Sequence, residues 1–353
     1  MKIPIQNLYY LLCFAWNRVP QELAFDVSAI PASADVLELC SYLLITGTDV
    51  LLRRGLDRGY KQHEERTARI RGRIDLTQTL KRRISASPQL VCQFDELSPN
   101  ILHNQMLRAS IDSLLRAGQI NPDLREGLRS ARGKLSGIDT IEVTSDMFGR
   151  VQLHRNNRYY SFLLFVCRLV HSLKLPDHGT GKNKFNDLIS DEKMMEKVFE
   201  EFLRNFYRLK QREFHSVSSN QMKWNATAEK AEHLQMLPVM KTDITMRSSE
   251  RIVIMDAKYY KAALQEHHGA AKAISSNLYQ MTAYLRSEGY KQQSICPEGI
   301  LIYPVGENVI DASFTIDGFP VRLFTLNLNQ DWRSIERDLL DLIAVRRPIT
   351  VAV

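Results

Sequence analysis

Four apolar residues, Ile252-Val253-Ile254-Met255, run straight into Asp256-Ala257-Lys258. A strand this apolar belongs in a core, where an unpaired charge costs on the order of several kcal/mol. Side chains alternate along a strand, so Asp256 and Lys258 share one face and Ala257 takes the other. Residues 242–246 read as a preceding strand, and Arg247-Ser248-Ser249-Glu250-Arg251 as the polar turn between the two. A hairpin centred between Ser249 and Glu250 sets Asp243 directly opposite Asp256. Cross-strand Cβ atoms lie ~4.5–5.5 Å apart. Two carboxylates that close repel unless a proton or a cation sits between them. A hard divalent ion fits, and Mg²⁺ takes one or two carboxylates together with phosphate oxygens and water. Lys258, ~6–7 Å along the strand from Asp256, is placed to hold a water against a phosphate and to offset its developing charge. The plainer alternative is a buried Asp–Lys ion pair, with Asp243 an ordinary strand-end residue.

The elements around this pair follow from periodicity. Met195, Val198, Phe199, Phe202 and Phe206 recur at helical spacing within 191–210, ahead of the strands. Residues 275–287 form the next helix, where Gln280 and Tyr284 are four apart and share a face. On their own, these two read as packing residues beside Leu278, Met281 and Leu285. An apolar strand at 299–304, a hairpin around Asp317-Gly318 and a helix at 332–345 complete an α/β half. The first half is mixed. Helices are expected at 8–16, 34–52, 100–117 and 157–175, and strands at 68–76 and 90–94. The best linker is the polar segment 176–186.

The chain has 353 residues, enough for two domains with real cores. Hydrophobic residues are 44% and charged residues 25%, which excludes a disordered chain, a fibre or a small disulfide scaffold. The five cysteines are scattered, with no CxxC pair, so a reducing, cytoplasmic setting is expected. No segment reads as a secretion signal or a membrane span. Between Arg53 and Arg83 there are eleven Lys and Arg against four Asp and Glu, an excess equal to the whole chain's +7. Such a segment suits an anionic contact, either nucleic acid or an acidic protein face.

Other motifs fail. Gly179-Thr180-Gly181-Lys182 resembles the tail of a phosphate loop, but Pro176 stands where the first Gly belongs and Asn183 where Ser or Thr belongs. The chain therefore has no visible nucleotide site of its own. There is no H-E-x-x-H, no G-x-S-x-G and no Cys/His cluster at zinc spacing. His267-His268 reads as a solvated loop, and Trp224 as a partly buried aromatic.

The order Asp243…Asp256-Ala257-Lys258…Gln280-x-x-x-Tyr284 resembles the PD-(D/E)xK nuclease superfamily, in particular its RecB-like branch. Further segments are similar to the McrC subunit of McrBC-type restriction systems. They are Ile3-Pro4-Ile5-Gln6-Asn7-Leu8-Tyr9-Tyr10 through Ala15-Trp16, Arg71-Gly72-Arg73-Ile74, Phe94-Asp95-Glu96, Asn157-Arg158-Tyr159-Tyr160 and Asp256-Ala257-Lys258-Tyr259-Tyr260. The resemblance implies a partner-docking, mixed α/β domain at 1–155 and an endonuclease domain at 156–353, with a central mixed sheet flanked by helices. It implies Mg²⁺ on Asp243, Asp256 and the Ala257 carbonyl, with Lys258 assisting water and Gln280 and Tyr284 lining the site. Glu200 falls where the superfamily often has a further acid, although a solvated Glu is the plainer reading. The implied activity is cleavage of double-stranded DNA carrying modified cytosine. The implied partner is a McrB-like AAA+ GTPase ring, with GTP on the partner and its hydrolysis stimulated by this chain. A self-sufficient RecB-like nuclease and a non-catalytic adaptor of an AAA+ ring are the alternatives.

Overall fold

A computed structural model of the chain describes residues 3–17, 30–31, 34–81, 89–117, 120–154, 157, 159–174, 188–260, 264–267, 270–291, 294–306 and 309–344. The chain divides into two compact units: Met1–Asp35 with Asp187–Val353, and Val36–Asn186. The expected division into 1–155 and 156–353 is thereby redrawn at both ends. The first helix, Ile5–Ala15, packs with the C-terminal half instead of the segment that follows it. Its apolar side explains why. Tyr10 stacks on Trp332 at 4.6 Å, and Phe14 meets Phe206 edge-on at 5.4 Å. Asn7 Nδ2 donates to Leu328 O at 2.9 Å and to Gln330 O at 2.7 Å. The expected helix at 157–175 is Tyr160–Leu173 and belongs to the other unit. The linker candidate at 176–186 lies outside the described residues.

The discontinuous unit is built on a six-stranded mixed sheet. Its order is Asp311–Ile316, Phe319–Leu326, Glu298–Pro304, Ile252–Ala257, Ile244–Arg247 and Ser216–Ser218. Glu298–Pro304 runs parallel to both of its neighbours, and the remaining pairs are antiparallel. A central strand with parallel partners is covered on both faces, so all six residues of Ile252–Ala257 are buried. Ile252 and Ile254 pack with Met281, Tyr284 and Leu285 of the helix Ser275–Lys291. The helix Glu192–Lys210 packs against Ile252–Ala257 as well. Its start is fixed by Asp191, whose carboxylate accepts from Met194 N at 3.1 Å.

The other unit packs the helices Val36–Arg54, Leu102–Leu115, Pro122–Lys134 and Tyr160–Leu173 around Leu43, Met106, Ile111, Leu128 and Val166. The helix Pro122–Lys134 goes beyond the sequence expectation, which placed no element there. It buries just Leu128 and Ala131, too few for a clear periodic signal, and Asn121 caps it by accepting from Asp123 N.

A two-stranded ribbon, Gly59–Thr67 against Leu90–Ser98, stands in place of the expected strand at 68–76. Most of Gly59–Thr67 is wet on both faces, so it lacks the apolar alternation that reveals a strand. Residues Leu76–Lys81 are helical, and only Arg73–Ile74 joins the sheet as a third strand. At the ribbon's foot, Asp57 N donates to Tyr160 Oη at 3.0 Å, Tyr160 Oη donates to Asn104 Oδ1 at 2.7 Å, and Asn104 Nδ2 returns to Asp57 O at 3.0 Å. Gly72 has φ +66°, and a Cβ there would lie 2.4 Å from Gln93 O, so only glycine fits. Beside it Arg71 lies over the Phe94 ring, 4.0 Å from its centroid, and 3.9 Å from Glu96.

Among the described residues no helix is long and apolar enough to cross a membrane.

Candidate active site

The hairpin register is the one the two acids require. Ile244 pairs with Met255, Thr245 with Ile254, Met246 with Val253 and Arg247 with Ile252. The ladder ends at Ile244 and Met255, and its register, carried one step further, points Asp243 toward Asp256. Asp243 lies one residue ahead of its strand, and its Oδ2 accepts from Ala257 N at 2.9 Å. Lys258 Nζ is 2.9 Å from Asp256 Oδ2, as a shared face demands. Lys258 N donates to Ile302 O, which fixes the chain just past the strand's end.

A cleft of about 360 Å³ opens here, lined by Lys193, Glu196, Lys197, Glu200, Glu201, Lys241, Asp243, Ala257 and Lys258. Asp256 lies behind that lining, fully buried. Neither of its carboxylate oxygens receives a well-formed hydrogen bond. Burial raises its pKa, and the nearby Lys258 ammonium opposes the shift without cancelling it. The Asp243 carboxyl is pushed up to about 7 by burial, then by the charges of Asp256 and Glu200. Burial alone would lower the Lys258 pKa, but Asp256 and Asp243 hold it above the ordinary lysine value.

Two crowded, buried carboxylates whose pKa values are both raised are what a hard cation relieves. The donor set is all oxygen, which fits Mg²⁺ rather than a soft metal. No group of three or more His, Cys, Asp or Glu gathers at metal-binding distance among the described residues. Two carboxylates with a main-chain carbonyl remain within the Mg²⁺ pattern, where water and phosphate complete the shell.

Asp243, Ala257 and Lys258 therefore meet at the cleft, with Asp256 directly behind. Glu200 joins them from its helix. Gln280 and Tyr284 are not on the cleft lining. Gln280 Nε2 donates to Tyr284 Oη at 2.7 Å, and Tyr284 Oη donates to Lys241 O at 2.7 Å. Sequence reasoning missed Arg204, whose Nη1 holds Glu200 at 2.7 Å and Asp243 O at 3.1 Å. The i, i+4 spacing of Glu200 and Arg204 was the signal available for it. Lys193, Lys197 and Lys241 were also missed; nothing in their spacing separates them from solvated lysines. Trp224 is 43% exposed and donates from Nε1 to Pro238 O. Of the His267-His268 pair, His267 ends a short strand and His268 lies outside the described residues.

Residues 6–304 match the family described as McrBC 5-methylcytosine restriction system component. Over 348 residues the chain is 34% identical to the type IV methyl-directed restriction enzyme EcoKMcrBC of Escherichia coli (strain K12), covering 96% of this chain and 97% of that protein. In fold it is similar to a chain of the Thermococcus gammatolerans assembly of McrB AAA+ hexamers with bound McrC. The TM-score is 0.52 at 16% identity, over 97% of this chain and 73% of that one.

Proposed function

The chain belongs to the McrBC 5-methylcytosine restriction system component family, and from that premise we propose that it is the nuclease subunit of a modification-dependent restriction complex. It hydrolyses phosphodiester bonds of double-stranded DNA carrying modified cytosine. The observation that carries this reading is a pair of buried carboxylates, Asp243 and Asp256, that share one ammonium, that of Lys258, 2.9 Å from Asp256. A structural ion pair would satisfy Asp256, but here two acids are crowded beside a single Lys.

In this reading Asp243, Asp256 and the Ala257 carbonyl would hold Mg²⁺. When bound, the ion supplies Lewis acidity toward the phosphate and lowers the pKa of water. Asp256 and Asp243 must both be ionised to bind it, which the cation itself favours. Lys258 stays charged across the working pH range, so it orients water and offsets negative charge rather than acting as a base. Arg204 ties Glu200 to the Asp243 backbone and keeps the acidic wall rigid.

The partner is a McrB-like AAA+ GTPase ring, whose nucleotide hydrolysis this chain stimulates. The docking element is the ribbon Gly59–Thr67/Leu90–Ser98 with Arg71 and Arg73. Arg71 is exposed yet held against Phe94 and Glu96, so it is presented to a partner at low entropic cost. Tyr60 and Leu97, directly paired across the ribbon, are 77% and 50% exposed and give it an apolar contact. The deciding experiment incubates the chain, its partner, GTP and Mg²⁺ with methylated and unmethylated duplexes. Cleavage of the methylated duplex alone, lost on omitting either the partner or Mg²⁺, is expected. Cleavage without the partner would favour a self-sufficient nuclease. No cleavage under any condition, with hydrolysis still stimulated, would leave an adaptor.

A further inference from the structure

A hydrogen-bond chain from Gln280 through Tyr284 to the Lys241 carbonyl joins the helix Ser275–Lys291 to the cleft. Resting on the phosphodiester reading above, we propose that Lys241 is a phosphate-binding residue of the cleft, with Gln280 and Tyr284 as positioning residues that act through its backbone.

Three observations converge on Lys241. Its side chain lines the cleft and has no acid within ion-pair distance among the described residues. Its main chain is fixed on every side. Met240 is buried in the core cluster, Lys241 O accepts from Tyr284, and Thr242 N donates to Asn220 O at 3.0 Å. Thr242 Oγ1 and Thr245 Oγ1 are joined at 2.8 Å, which secures the turn into the strand. Lys193 and Lys197 also line the cleft, from the first two turns of the helix Glu192–Lys210.

Lys241 ends the short strand Met240–Lys241, Asp243 stands at the bend before Ile244–Arg247, and both line the same cleft. An ammonium there reaches a different phosphate of the DNA strand from the one held at Asp243 and Asp256. A fixed stem with an unpaired ammonium lowers the entropy lost on binding that phosphate. The Tyr284 hydroxyl is spent on a main-chain carbonyl, so it takes no part in proton transfer. Its effect on DNA passes through where Lys241 stands.

The test uses the full chain with Lys241→Met, Lys241→Arg, Tyr284→Phe and the double variant Lys241→Met/Tyr284→Phe. Cleavage is read with partner and Mg²⁺, and binding of a short duplex by the chain alone is read against salt without divalent metal. Lys241→Met is expected to raise KM about tenfold (about 1.4 kcal/mol) with kcat within about twofold. Its salt slope should be shallower by about 0.9, one phosphate contact. Lys241→Arg should restore both. Tyr284→Phe should raise KM less, and the double variant should be no worse than Lys241→Met alone. An unchanged KM and slope in Lys241→Met, or additive losses in the double variant, would overturn the proposal. The salt slope needs no cleavage. A chain that never cuts DNA, yet loses one contact in Lys241→Met, would sink the nuclease reading and leave the phosphate site standing.

Discussion

The cleft and the ribbon are made from the same residue types, and depth alone separates what they do with them. In the cleft, Asp256 sits on a sheet strand covered by helices, with Lys258 just past its end and Asp243 just ahead of the neighbouring strand. Water cannot screen them, and each shifts the others' protonation. In the ribbon, Lys61 pairs across the strands with Glu96, and Arg66 with Val91, with solvent on nearly every side. Exposed charges of this kind contribute little to stability. They set encounter, register and partner choice instead. In the proposed reading the cleft does chemistry with charges that are costly to bury, and the ribbon recognises with charges that solvent screens.

That contrast breaks most visibly at Asp256. Asp256→Ala is expected to reduce DNA cleavage by about 10³-fold while partner-stimulated nucleotide hydrolysis stays at the parent level. Normal cleavage by this variant, assayed with partner and Mg²⁺, would make Asp256 structural. The reverse experiment acts on the ribbon. Arg71→Glu with Arg73→Glu should lower the stimulated hydrolysis at least about tenfold, since like charges facing each other across an interface cost several kcal/mol. The measurement is made without DNA. Unchanged stimulation, together with a shallower salt slope for DNA binding, would assign these arginines to DNA.

Smaller effects sharpen the comparison. Gly72→Ala forces a left-handed backbone on a residue with a Cβ, at about 1–2 kcal/mol, before the clash with Gln93 O is counted. Amide exchange in the ribbon should accelerate while that of Ile252–Ala257 does not. Equal acceleration in both would mean the ribbon is not a separate unit of stability. The smallest effect is a pH dependence. Asp243 holds its proton up to about pH 7 when folded, whereas an unfolded Asp releases it near ~3.9. Between those values the folded state binds the extra proton. This group's contribution to stability is therefore full below about pH 4 and lost as pH rises through about 7. The metal-free protein should show that decline in Tm from about pH 5 to about pH 8. Mg²⁺ should offset it, and Asp243→Asn should remove it. A decline of the same size in Asp243→Asn would trace it to another group.

The hairpin register at the candidate site was legible because two independent patterns agreed on it. The apolar run ending in Asp256 named a core strand, and the turn at 247–251 fixed the 243–256 register that the ladder follows. The mixed sheet flanked by helices was legible for the same reason. The ribbon was half legible, since the strand expected at 90–94 lies within Leu90–Ser98, but Gly59–Thr67 was hidden because a strand with both faces wet has no alternation to read, and Glu64, Glu65 and Arg66 mimic a loop. The position of Ile5–Ala15 was hidden too. Its apolar stripe says that it must be covered, and nothing local says by what. Gln280 and Tyr284 share a helix face as their spacing said, but the hydrogen bond from Tyr284 to a main chain 43 residues earlier depends on tertiary packing alone.

That long-range docking of Ile5–Ala15 has a consequence in time. Asn7 and its partner Leu328 are separated by 321 residues, which a ribosome takes roughly 15–60 s to supply. Over that interval the whole of Val36–Asn186 emerges, while Leu8, Leu11, Leu12 and Phe14 have yet to meet their covering residues. Closing so long a loop adds only slowly to the entropic cost, about 0.6 kcal/mol per doubling of length. The hazard is kinetic: an apolar helix waits on a nascent chain for Phe206 and Trp332 to arrive. The pace of translation and the holding of this first segment, as much as final stability, therefore govern how much of the protein reaches the state in which its acids meet.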